Sequence, residues 1–312
     1  MPRLPRIKPT MGTYYHITNR IAGMPGDFPF GDLEKQKLVD LARRLTRYFT
    51  IEVLGYQVMS NHYHIVCYAP EECPACDYAA ERHNQFYKGT RKAPVRPDDA
   101  AECAEIAAQM RDVSCFVGRL QQQFTCWYNR TRPGRRRGTL WAQRFKSVVL
   151  ERDTALWNCL CYVELNPVRA GMVSNPADYR FGSWGAWSAT GRHPFGENLE
   201  RRLPEYQGAE ARSRTLDAIR RQFRVEFARV VSAESGHGTV DIEQAMAEAE
   251  REPEFTTRLD RRVRYWTDGA IIGGRTFILE TASAFRHNPD KHRLGKTAWG
   301  ELFSWARLRR PA

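Results

Sequence analysis

Nowhere in the 312 residues does an apolar run approach the roughly 20 residues that a membrane-spanning helix needs. The first residues, Met1-Pro2-Arg3-Leu4-Pro5-Arg6, also lack the apolar stretch of a secretory signal. The expectation is a soluble, cytoplasmic protein with no membrane partner. Acidic charge is in short supply: 36 Asp and Glu face 48 Lys and Arg, a formal net charge of +12. With 12% aromatic residues as well, such a chain favours a polyanionic partner, nucleic acid first, and hence a nucleoid-associated setting. The eight cysteines form no repeated spacing, and several sit in apolar patterns, so they read as buried thiols rather than a disulfide framework. One doublet, Cys73-x-x-Cys76, with His83 and Cys103 further on, has zinc-type residues but no matching second doublet. The stretch GAIIGG at 269–274 has no Lys-Ser/Thr after it and reads as turns rather than a phosphate loop.

What is present alternates between strand and helix patterns. Residues 14–21, YYHITNRI, suit a strand and follow a basic arm carrying Arg3, Arg6 and Lys8. Asp32 caps a helix marked by Leu38, Leu41, Leu45 and Phe49. Two β-rich runs, 51–59 and 62–68, are separated by Ser60-Asn61, which predicts a tight hairpin. A loop-like insertion of about 70–100 precedes one long helix striped by Ile106, Met110, Val113, Val117, Leu120, Phe124 and Trp127. A strand over 144–151 and a helix over 153–166, stopped by Pro167, complete the order β-α-β-β-α-β-α. That order predicts an α+β fold, a ferredoxin-like antiparallel sheet with covering helices, over residues 1–190. Residues 191–312, more charged and with a helical stretch at 209–231, read as a mainly helical C-terminal accessory region that also contacts DNA.

In His62-Tyr63-His64 the period of two puts both imidazoles on one sheet face, close enough to share a metal. Two ligands are too few, and an oxygen donor must complete the set if the metal serves phosphoryl chemistry. On the helix over 153–166, Tyr162 and Asn166 are one turn apart on the same face, beside the core stripe. Tyr128 competes for a nucleophile's role, but its own neighbour one turn on is Arg132, which cannot ligate a cation.

Three blocks carry a resemblance. They are Met59-Ser60-Asn61-His62-Tyr63-His64-Ile65-Val66, then Gly138-Thr139-Leu140-Trp141-Ala142-Gln143-Arg144-Phe145-Lys146-Ser147, then Tyr162-Val163-Glu164-Leu165-Asn166-Pro167-Val168-Arg169-Ala170-Gly171-Met172-Val173. In this order they closely resemble the REP-associated tyrosine transposases, a branch of the single-tyrosine HUH transposases, across about residues 1–190. Tyr63 departs from the pattern, which usually has a smaller or aliphatic residue there. The resemblance implies an HUH nuclease core with His62, His64 and Asn166 as metal ligands, Mg²⁺ or Mn²⁺ as the cation, and Tyr162 as the nucleophile. It further implies cleavage and joining of single-stranded, hairpin-containing repeat DNA through a 5′-phosphotyrosine. The rival reading is a domesticated, non-catalytic hairpin-DNA binder. A hydrolase of small phosphate esters is disfavoured by the +12 charge.

The DNA-binding surface is expected to include Arg130, Arg132, Arg135, Arg136 and Arg137, with Arg144, Lys146 and Arg169. Trp141 is balanced between stacking on an unpaired base and packing in the core. Monomer and homodimer both remain compatible with the sequence.

Overall fold

The computed structural model describes residues 12–24, 26–203, 216–235, 265–284, 292–297 and 302–307. The basic arm expected at Arg3, Arg6 and Lys8, and part of the helical stretch expected at 209–231, lie outside the described residues. The chain opens with β1 (Thr13–Arg20), α1 (Asp32–Leu45), β2 (Glu52–Val58) and β3 (His62–Ala69). The hairpin turns at the expected Ser60-Asn61. The cap of α1 is Gly31 rather than Asp32: the Gly31 N–H donates to Glu34 Oε2 at 2.8 Å, and Asp32 becomes the first helical residue.

The segment expected as a loop after β3 contains a helix, α2 (Cys76–Tyr87). Its buried side is only Ala79, Ala80 and His83, set against Tyr48, so charged neighbours hide the helical pattern. The single long helix expected next is two, α3 (Ala100–Arg111) and α4 (Val113–Thr131). Asp112 divides them. Its carboxylate accepts from Ser114 N at 2.5 Å and Cys115 N at 3.4 Å, starting a new helix while the apolar stripe continues through both.

Strand β4 (Lys146–Leu150) leads into α5 (Thr154–Glu164) and the short α6 (Asn166–Arg169). The helix expected to run to 166 is divided at Leu165, which still donates to the Cys161 carbonyl at 3.0 Å; Pro167 brings no N–H for the Val163 carbonyl, and the Asn166 side chain donates to it instead at 3.3 Å. Then come α7 (Ser183–Thr190), α8 (Gly196–Arg202), α9 (Leu216–Ser235), α10 (Tyr265–Asp268), β5 (Ile271–Gly273), α11 (Arg275–Ala284), β6 (His292–Lys296) and β7 (Phe303–Arg307).

The seven strands among the described residues form one mixed sheet in the order β2-β3-β1-β4-β5-β7-β6. In its first four strands β1 lies between β3 and β4 and is antiparallel to both, which interleaves two βαβ units. Among its described residues the C-terminal region has more helix than strand, and it also contributes three strands to this sheet. The supposed turn glycines fall here: Ile271 and Ile272 pair in parallel with Val149 and Leu150.

Alternation along the strands builds two cores. Tyr15, Ile17, Tyr63 and Ile65 face α1 and α4, together with Phe116, Leu120 and Phe124. Tyr14, Val66, Val148 and Leu150 face α5, whose Leu156, Leu160 and Val163 are fully enclosed, with Trp184, Phe223 and Trp266 beyond. Helix α5 approaches the sheet at Gly55, where β2 carries a register shift. A Cβ there would meet Leu160 Cδ2 at 2.9 Å, so the approach depends on the missing side chain.

Glu164 ends α5 fully buried, accepting from Ser183 Oγ and, at 3.1 Å, from Trp184 N. Burial pushes its carboxyl up to about 7, against the smaller pull of these two donors. Because the folded pKa lies above the unfolded value, the contribution of this carboxyl is fully present below about pH 4.5 and is lost as pH rises through 7, by about 3 kcal/mol. Glu164→Gln keeps one oxygen to accept from Trp184 N, turns an N–H toward the Ser183 hydroxyl, which can accept it, and removes the charge. Urea denaturation from pH 4 to 8 is expected to show the variant gaining on the wild type as pH rises, and parallel curves would refute this.

Candidate active site

The site is assembled on the α5 face of the sheet. Antiparallel pairing sets Arg20 opposite His62 and Thr18 opposite His64, and the same register puts His16 diagonally next to His64. All three histidines therefore share one face with α5. The rings of His62 and His64 are 5.1 Å apart between centroids and nearly perpendicular, while those of His16 and His64 are 5.1 Å apart with planes within 7°. His16 Nε2 lies 2.9 Å from His64 Nδ1, and His16 Nδ1 lies 2.7 Å from the Trp266 carbonyl oxygen. His62 Nδ1 meets Asn61 Oδ1 at 2.7 Å.

Burial holds these imidazoles neutral. His16 and His62 are each pulled down to about 4, His62 further by the charge of Arg20, and His64 is held well below the ordinary value by burial and its two histidine neighbours. Neutral imidazole is the form that ligates metals.

Tyr162 stands over this cluster, 9% exposed. Its ring is edge-on to His64 at 5.9 Å and to His16 at 6.0 Å, and it stacks on Trp266 at 5.7 Å with 27° between planes. The Arg169 guanidinium lies 5.4 Å from the ring centroid, a permanent positive charge beside the phenol. Asn166, half-buried at the start of α6, turns its amide nitrogen back onto the end of α5, donating to the Tyr162 carbonyl at 2.9 Å and the Val163 carbonyl at 3.3 Å. That leaves Oδ1 as the side chain's acceptor and possible ligand atom, with no contact joining it to His62 or His64.

The residues fit a divalent cation in one specific respect. His64 Nε2 is sealed from solvent and has no hydrogen-bond partner among the described residues. A lone pair left in this state is costly unless something accepts it. Among the described residues no group of three or more His, Cys, Asp and Glu side chains converges on a metal position, so a third protein ligand would have to be an amide oxygen such as that of Asn166. The zinc-type residues do not gather: Cys73 is exposed, the buried Cys103 donates to the Arg96 carbonyl at 3.3 Å, and His83 pairs with the Tyr48 hydroxyl at 3.3 Å.

Other expected residues fall elsewhere. Tyr128 is buried in the core on the opposite face of the sheet, under Arg132, whose guanidinium carbon is 4.1 Å from its ring centroid. Arg132 also pairs with Glu34 and so turns inward. Arg136 braces the loop through Asn129 Oδ1 at 2.9 Å and the Thr139 carbonyl at 2.8 Å. Arg130, Arg135, Arg137 and Arg144 are exposed, and the positive φ of Gly134 and Arg135 (69° and 51°) turns this loop outward. Trp141, partly buried, packs against the edge of the α4 core, 5.4 Å from the Tyr63 ring, with its Nε1 donating to Thr125 Oγ1 at 3.0 Å. Lys146 is exposed opposite Thr18, on the histidine face.

Sequence reasoning missed His16, Arg20 and Trp266. The first two carried a signal: once β1 is placed beside β3, alternation along YYHITNR sends His16 and Arg20 to the face of His62 and His64. Trp266, 250 residues from His16, carried none.

A solved structure similar to this chain is that of a REP-associated tyrosine transposase bound to a REP hairpin, at 16% identity and a TM-score of 0.42, covering 67% of this chain and 98% of that one. No protein-family model and no curated protein matches the sequence. Among the described residues no helix is long and apolar enough to cross a membrane.

Trp266 is fully buried between this site and the α5 core. Trp266→Ala is expected to cost about 3–5 kcal/mol in urea denaturation, as for large-to-small changes in a packed core. A cost below about 1 kcal/mol would show that the C-terminal segment does not pack on Tyr162 as described.

Proposed function

We propose that this chain is a metal-dependent endonuclease and strand transferase for single-stranded, hairpin-containing repeat DNA, built on a ferredoxin-like HUH nuclease core with Tyr162 as nucleophile. The observation that carries this reading is the placement of Tyr162 against His64, with the two rings 5.9 Å apart, on a face that also holds His62. His62, His64 and the Asn166 amide oxygen would hold Mg²⁺ or Mn²⁺. Such a cation, when bound, supplies Lewis acidity toward a non-bridging phosphate oxygen.

The chain's own residues do the rest. Tyr162 Oη attacks phosphorus and gives up its proton. The bond from phosphorus to the 3′ oxygen breaks, and that oxygen takes up a proton to leave as a 3′-hydroxyl. A 5′-phosphotyrosine remains, which conserves the phosphodiester's energy for joining to another 3′-hydroxyl. Arg169 favours the developing phenolate charge from across the ring. At the rim, Arg20 and Lys146 extend from β1 and β4 on the same face and suit the flanking phosphates. Burial of Tyr162 keeps bulk water from the intermediate.

The nucleophile is tested by incubating the protein with labelled hairpin-bearing single strands and Mn²⁺, then running denaturing gels. Tyr162→Phe is expected to abolish the covalent adduct and leave binding nearly intact, while Tyr128→Phe keeps it. EDTA is expected to stop adduct formation. An adduct in Tyr162→Phe, or undiminished cleavage in EDTA, would refute the reading. Equal cleavage of hairpin and unstructured strands at raised salt would remove the substrate assignment.

Binding should depend on the exposed arginines rather than on all five of the loop. Arg135→Ala with Arg137→Ala is expected to lower the slope of log affinity against log salt by about 1.4, near 0.7 per lost single-strand phosphate contact. Arg132→Ala, which breaks the pairing with Glu34, should lower the unfolding midpoint and leave that slope unchanged. A slope that falls in Arg132→Ala but not in the double variant would contradict the placement.

A further inference from the structure

We propose that His16 is a positioning residue: held by the Trp266 carbonyl, it fixes His64 in the tautomer that leaves Nε2 free to accept a cation. The inference deepens the proposed function and rests on it for the identity of the metal site. A carbonyl oxygen can only accept, so the 2.7 Å contact requires the proton of His16 to sit on Nδ1. A neutral imidazole carries one donor and one acceptor, so His16 Nε2 accepts. The 2.9 Å contact then requires a proton on His64 Nδ1, and His64 Nε2 is left with a bare lone pair. That nitrogen is the sealed one without a partner among the described residues.

His62 reaches the same state by separate means. The Asn61 amide nitrogen donates to the Asp27 carbonyl at 3.0 Å, which orients the amide and makes Oδ1 the acceptor from His62 Nδ1. His62 Nε2 is thereby a lone pair as well. Two ligands presenting the same nitrogen through unrelated partners is the pattern of outer contacts that set ligand tautomer and ring orientation. His16 itself is 0% exposed in the middle of a strand, where an apolar residue would avoid the cost of burying a polar ring, yet both of its nitrogens are engaged. Trp266 thus touches both halves of the site, the histidines through its carbonyl and Tyr162 through its ring. The C-terminal segment is in this way a working part of the centre.

The test uses the full-length, metal-free chain with ¹⁵N-labelled histidine at neutral pH, read by two-bond ¹H–¹⁵N correlation, together with Mn²⁺ affinity from the electron paramagnetic resonance of free Mn²⁺. Wild-type His64 is expected to carry its proton on Nδ1. His16→Phe keeps a ring of similar size but no acceptor. His64 should then move its proton wholly or partly to Nε2, and Mn²⁺ affinity should fall about 10–100-fold. His16→Gln, whose amide can accept from His64 and donate to the Trp266 carbonyl, should retain the tautomer and stay within about 3-fold of wild type. A wild-type His64 protonated on Nε2, or unchanged Mn²⁺ affinity in His16→Phe, would overturn the proposal. Should His16→Phe fail to fold, the wild-type tautomer and the His16→Gln variant decide the matter. If these results hold and Tyr162 forms no DNA adduct, phosphoryl transfer falls while the relay stands; the reverse outcome sinks the relay alone.

Discussion

The pairing of β1 with β3 is the constraint on which the rest of the molecule depends. Its register sends every second side chain of two neighbouring strands to the same face, so that Tyr15, Ile17, Tyr63 and Ile65 go to the α1/α4 core while His16, His62 and His64 go to the α5 side. A slip of one residue would exchange the two sets, burying the histidines under α4 and stranding four large apolar side chains. The apolar face therefore secures the position of the polar one. Stability and chemistry are specified by the same register, and a substitution that weakens the α4 core threatens the site without touching it.

On the α5 side the sheet supplies imidazoles, α5 supplies a phenol and the start of α6 supplies an amide. Gly55 admits α5 closely, and Glu164 anchors its end against the start of α7. The position of the Tyr162 ring is then set by Trp266 from beyond the helix and by the histidines beneath it. The Trp266 roof comes from the segment that also carries β5 alongside β4, so the extended edge of the sheet and the enclosure of the tyrosine are parts of one packing arrangement.

Much of this could be read from the residues, and the failures have physical causes. The strands of the first half and the shared face of His62 and His64 follow from a period of two. Residues 153–166 showed their helix because the apolar stripe of Leu156, Leu160 and Val163 is uninterrupted. Helix α2 escaped notice because so few of its residues are buried, and the α3/α4 break because a periodic stripe does not reveal the capping aspartate within it. Trp141 sat between two readings until the fold placed it against Tyr63 and Thr125. Arg132 looked like its neighbours in the basic run, yet one buried partner, Glu34, separates it from them. Of the site, the dyad and the tyrosine were legible, whereas the contact between His16 and Trp266 spans 250 residues and no local pattern encodes it.

The proposed chemistry requires a bond between Tyr162 Oη and a DNA phosphate. The direct measurement is peptide mapping by mass spectrometry after reaction with a hairpin-bearing single strand and Mn²⁺, followed by nuclease trimming. A single nucleotide-bearing peptide is expected, with the added mass on Tyr162 and linked through a 5′ phosphate. A modification on Tyr128 or any other tyrosine, or strand cleavage with every tyrosine unmodified, would contradict it.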